Sequence, residues 1–161
     1  MIRFQSADGC YFTLDVTGYQ FPGTDVSADD ADWLMVTGHA SSHEGAWKFS
    51  DACLMTSDVA GLRNWFGEIL VGTALPVIDF LEPVLEFGWR RDAAGTTVTV
   101  SFCAESAPPW RHKGLFTIEF ECAPAALETI RAELTKIVLA YPILARARRL
   151  SGRLHVVPSV R

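Results

Sequence analysis

Residues 47–66 read WKFSDACLMTSDVAGLRNWF, and the fold class turns on where a strand gives way to a helix within them. In the first half Trp47 and Phe49 fall on one face of an alternating pattern, as in a half-buried strand. From Thr56 or Ser57 the period changes. Val59, Leu62, Trp65, Phe66, Ile69 and Leu70 recur at helical spacing and make one apolar face. Either hydroxyl can cap the free N–H groups, Asp58 suits the first turn, and Gly72 stops the helix. Cys53 lies just ahead of this junction. A helix N-terminus can lower a thiol's pKa and activate it, so Cys53 has to be weighed as a nucleophile. Alternation continued from Phe49 puts Asp51, Cys53 and Met55 on the inward face, and no nearby base stands out. A buried packing thiol is the expectation.

Upstream, MIRFQ is a short strand and Ala7–Gly9 a turn of the Asp-Gly type. YFTLDVTGY alternates, with Phe12, Leu14 and Val16 on one face. QFPGTDVSADDAD follows, punctuated by Pro22 and Gly23. Its four aspartates, Asp25, Asp29, Asp30 and Asp32, fall within eight positions and predict a solvated loop. DWLMVTGHA and AWKFSD are two further strands.

Downstream, Leu85, Phe87 and Trp89 alternate. TTVTVSFCAES and GLFTIEFEC predict an antiparallel pair, with Val98, Val100 and Phe102 inward on one strand and Phe116, Ile118 and Phe120 on the other. The Pro-rich link APPWRHK is too long for a tight hairpin and reads as an exposed loop. Pro124 opens a second helix whose stripe is Leu127, Ile130, Leu134, Ile137, Val138 and Tyr141, and Pro142 ends it. The fold class is therefore α+β: an antiparallel sheet of about seven strands with two packed helices. At 161 residues a single domain spanning 1–161 is expected, with a basic C-terminal segment at 143–161.

Composition narrows the function. An apolar share of 49% with 20% charged residues excludes disorder. No run approaches the ~18 apolar residues of a membrane span, so no membrane partner is expected. The start lacks a basic region followed by an apolar stretch, which makes the cytoplasm the expected address. Cys10, Cys53, Cys103 and Cys122 form no CxxC pair and are expected to be reduced. Net charge is −5, unevenly placed. From Ile143 onward there are five arginines and no acid, while the first 142 residues hold nine basic and nineteen acidic side chains. An acidic body repels phosphates, which argues against nucleic acid, and suits a basic protein partner.

Catalytic motifs are absent: no GxSxG elbow, no GxGxxG, no GxxxxGK[ST]. His39 and His43 are four apart beside Glu44, but they span a strand end and a Ser-Ser turn, and the inner Glu of HExxH is missing. No metal and no cofactor is expected. His112 lies in the Pro-Trp loop and His155 in the basic tail, neither beside a cysteine or carboxylate cluster. Glu119 and Glu121 alternate outward from an apolar strand, as a solvated face does. Trp33, Trp47, Trp65 and Trp89 fall on apolar faces and predict core, whereas Trp110 falls on the exposed loop.

Four stretches carry a resemblance, in order: GYQFPG at 18–23, DADWLMVTGHAS at 30–41, the junction at 47–66, and FLEPVLEFGW at 80–89. Together they resemble the WapI-type immunity proteins, a small bacterial family that protects cells from a secreted contact-dependent toxin. The likeness covers about residues 8–90 and continues more weakly through the last two strands and helix. Its motifs build structure rather than chemistry, and the Arg-rich tail after Pro142 departs from the pattern. The resemblance implies a cytoplasmic binding protein without catalysis of its own, which blocks the basic active-site surface of a toxin domain, often a nuclease. Asp25, Asp29, Asp30 and Asp32, with Glu44, are the expected partner-contacting surface, and Trp110 is the rival placement as an aromatic anchor. The alternatives are a small-ligand or protein-binding regulatory domain, and an enzyme. An enzyme needs a cleft with convergent polar groups.

Overall fold

A computed structural model describes residues 1–23, 30–111 and 113–144. The strands are β1 (Ile2–Gln5), β2 (Tyr11–Tyr19), β3 (Trp33–Ser42), β4 (Gly45–Met55), β5 (Val77–Ile78), β6 (Leu85–Asp92), β7 (Gly95–Phe102) and β8 (Phe116–Glu121). The helices are α1 (Thr56–Val71) and α2 (Pro124–Ala140). All pairings are antiparallel, in two four-stranded sheets ordered β1-β2-β3-β4 and β5-β6-β7-β8. The α+β class stands. The sheet of about seven strands is instead eight strands in two sheets, because the chain leaves the first sheet through α1 and starts the second with the two-residue β5.

Aromatic rings from both sheets and α1 meet in the middle. Phe4 on β1 lies within 6.3 Å of the rings of Phe12, Phe66, Phe87 and Phe120. Phe12 meets Phe102 edge-on at 5.0 Å. Burying each such ring contributes about 1.5–3 kcal/mol, and edge-to-face pairs add somewhat more. The expected inward residues of β7 and β8 face each other in register: Val98 opposite Phe120, Val100 opposite Ile118, Phe102 opposite Phe116.

The helices follow their sequence stripes. Val59, Leu62, Trp65, Phe66 and Ile69 are buried on α1, and Leu127, Ile130, Leu134 and Ile137 on α2. Gly72 closes α1 with φ 78°, the left-handed value that favours glycine. The Arg91 guanidinium donates to the Ile69 carbonyl at 2.7 Å, a cation on a helix C-terminus. Trp65 and Trp89 both donate Nε1–H to the Leu75 carbonyl, at 2.9 and 3.0 Å, and so pin the link after α1. The end of α2 is fastened to β2, where Tyr141 donates to the Val16 carbonyl and Tyr19 to that of Pro142.

The junction at 47–66 is tighter than its sequence suggests. Met55 still pairs with Trp33 on β3 and is also the residue preceding α1, so strand runs directly into helix. The Asp58 carboxylate accepts the Met55 N–H at 2.8 Å. The Thr56 N–H goes to the Asp32 carbonyl at 3.0 Å. Thr56 Oγ1 is buried and has no hydrogen-bond partner. The expected Thr56 or Ser57 cap is thus replaced by Asp58 reaching backward, because Thr56 is already inside the helix. A bulge precedes this point: the pairing steps from Val36–Asp51 to Leu34–Leu54, which sets Ala52 and Cys53 opposite Met35 alone. Strict alternation breaks there, and Cys53 and Leu54 are both buried.

Candidate functional site

The β2–β3 register brings two turns together. Tyr11 pairs with Ser41, so the β1–β2 turn at Ser6–Cys10 lies beside the β3–β4 turn at Ser42–Gly45. Gly45 has φ 149°, and a Cβ there would meet the Trp110 ring at 2.9 Å. Trp110 therefore covers the turn from above. Its Nε1–H donates to Glu44 Oε2 at 3.1 Å, and its ring meets Trp47 edge-on at 5.6 Å.

Trp47 holds this loop in place. It is 5% exposed, touches Phe102 and Phe116 edge-on, and donates Nε1–H to the Ser106 carbonyl at 2.8 Å. Ser106 is fully buried. Its hydroxyl donates to the Val84 carbonyl and accepts the Cys103 N–H at 3.0 Å. The loop base is thus satisfied internally, and Trp110 beyond it is 36% exposed.

β8 turns Thr117, Glu119 and Glu121 outward. Arg90 grips Glu119 with two bonds at 2.9 and 3.0 Å. That grip holds the Glu119 carboxyl below its usual range. The Ser6 hydroxyl, His43 and the Cys10 N–H hold the Asp8 carboxyl well below it too. Asp8 and Glu119 border two adjoining open clefts between the turns and β8.

Two of the expected contact residues, Glu44 and Trp110, are therefore joined in one structure. The sequence expectation set the Trp110 loop as a rival placement to the aspartate segment with Glu44, and the structure joins Trp110 to Glu44. The aspartate segment is elsewhere. Asp25 and Asp29 lie outside the described residues, as do His112, His155 and the Arg-rich tail from residue 145. Asp30 is exposed. Asp32 is not a solvated loop carboxylate: it is 7% exposed, and its Oδ1 accepts the Leu144 N–H at 2.6 Å. It ties the start of β3 and of α1 to the chain beyond Pro142. The ten-residue β3 separates Asp32 from the Glu44 turn, a span of roughly 30 Å. The two acidic groups are not neighbours.

Cys53 is 0% exposed, and burial, aided by the fields of Asp51, Glu105 and Glu82, pushes its thiol up to about 12. That is a packing group, the opposite of an activated thiolate. Cys10 is the thiol that sequence reasoning passed over. With Asp8 and His43 it forms a cluster whose donor atoms all lie within 4.8 Å of one another. No single-sequence spacing signals it, since the β2–β3 register makes it. Of the expected histidine pair, His39 is exposed on β3 and is not part of this cluster. Among the described residues no helix is long and apolar enough to cross a membrane.

No curated protein matches the chain. A family model does, over residues 3–142, which runs from within β1 through both helices and stops short of the Arg-rich tail. The chain belongs to the immunity protein WapI-like family.

Proposed function

We propose that this protein neutralises a cognate toxin domain by binding it in the cytoplasm, with no catalysis of its own. Family membership over residues 3–142 carries this reading. Two physical features support it. The first 142 residues hold ten more acidic than basic side chains, which suits a basic toxin surface such as that of a nuclease and opposes direct nucleic-acid binding. The Glu44–Trp110 pair adds a rigid aromatic with a carboxylate beside it, the kind of group that anchors interfaces. The acidic charges of Asp25, Asp29 and Asp30 would speed encounter, and Trp110 would hold the complex. Burial of Cys53 disfavours the reading of that thiol as a nucleophile.

The test is co-expression with the C-terminal domain of any large secreted protein encoded by the adjacent gene. Restored growth together with a stable one-to-one complex is the expected result. Unrelieved toxicity with no complex would overturn the proposal.

A further inference from the structure

We infer that Asp8, Cys10 and His43 form a binding site for a zinc-class divalent ion at the rim of the Glu44–Trp110 surface. This revises the expectation of no metal, and it stands independently of the toxin-binding reading. Three donors of different softness converge: a carboxylate oxygen, a thiol sulfur and an imidazole nitrogen, all within 4.8 Å of one another. Bonds of about 2.0–2.3 Å to a tetrahedral zinc would set such donors roughly 3.3–3.8 Å apart. Closure thus needs a shift of about 1 Å. It also needs His43 Nε2, now 2.8 Å from Asp8 Oδ2, to swing aside. His43 can do so, because it lies on a turn with its side chain 73% exposed.

The other two donors are already fixed. Asp8 Oδ1 accepts from the Ser6 hydroxyl and from the Cys10 N–H at 3.3 Å, which leaves Oδ2 aimed at His43. Such hydrogen bonds to the outer oxygen are what orient a ligating carboxylate. Cys10 is 7% exposed and lines the same cleft as Asp8 and His43. Charge also balances. On binding, the Cys10 thiol releases one proton to solvent, and carboxylate plus thiolate neutralise a dication. The thiolate favours zinc over magnesium or calcium. A fourth position would open toward the cleft bordered by Thr117 and Glu119, for water or a partner's side chain.

Cobalt(II) chloride titrated into the reduced, chelator-stripped full-length protein tests this, because a cobalt–thiolate bond gives a charge-transfer band in the near ultraviolet. One Co2+ per chain is expected, with that band present and then lost on displacement by Zn2+. In Cys10→Ser the band should vanish. In His43→Ala, an exposed position that should leave folding intact, affinity should fall about tenfold or more, while His39→Ala should match the parent. Absence of saturable one-to-one binding, a band that survives Cys10→Ser, or equal losses in His39→Ala and His43→Ala would each overturn the site.

Discussion

Gly38→Ala perturbs the hairpin that presents the Glu44 turn. Gly38 pairs with Phe49 across β3 and β4, and the Phe49 ring lies over the bare Cα. An added Cβ would sit 2.0 Å from Cε1, 2.3 Å from Cζ and 2.7 Å from Cδ1 of that ring. These are far inside van der Waals contact, so the ring must leave its place. It has little room to go. Phe49 is 7% exposed and stacks on Phe12, with centroids 6.5 Å apart. Overpacking of this kind costs about 1–3 kcal/mol. For a chain of this size each kcal/mol moves the melting temperature by about 2–4 °C, so a fall of roughly 2–12 °C is expected. Gly18→Ala is the control, since nothing lies within 4 Å of its added Cβ. Thermal unfolding followed by near-ultraviolet circular dichroism reads both. If Gly38→Ala melts within about 1 °C of the parent, the cross-strand packing described here is wrong.

Thr56→Val should stabilise the protein by about 1 kcal/mol, because it removes a buried hydroxyl without a partner while keeping the shape of the side chain. A lower denaturation midpoint would show that Thr56 Oγ1 does cap α1. Cys53 makes stability depend on alkaline pH. Its folded thiol is raised from an ordinary value near 9 to about 12, so its contribution is full below pH 9 and is lost as pH rises from 9 to 12. The slope is at most about 1.4 kcal/mol per pH unit. Cys122, raised to about 11, adds to the same window. Cys53→Ser should flatten the loss without abolishing it. Rapid thiol labelling of Cys53 in the native protein at pH 8, or an unchanged slope in the variant, would contradict its burial.

Much of the fold was legible because the apolar periods are clean. β2, β7, β8 and both helices follow their stripes, and Pro124 and Gly72 stand where an N-terminus and a C-terminus require them. What was not legible came from pairing. Val77–Ile78 is too short to announce a strand, and only its partners Phe87 and Gly88 make it one. The bulge at Ala52–Cys53 interrupts alternation through a register shift against β3. The Thr56 hydroxyl looks like a cap until Met55 is found still paired to Trp33. The surface shows the same limit. Acid-rich spacing marked Asp32 as solvated, but a backbone N–H more than a hundred positions later claims it. The contact between Glu44 and Trp110, and the cluster of Asp8, Cys10 and His43, exist only once two hairpin turns and a long loop are folded against one another.

Association kinetics with the toxin domain recovered in the co-expression test probe the central claim most directly, measured at low and moderate salt. The parent is compared with Asp25→Asn, Asp29→Asn and Asp30→Asn together, and with Trp110→Ala. Asp32 is left intact because it holds the fold. The account predicts that the aspartate variant associates more slowly and with a flatter salt dependence. Trp110→Ala should associate at nearly the parent rate and dissociate faster. Parent rates in both variants at both salts would contradict the claim that this protein acts by presenting these surfaces to a basic toxin.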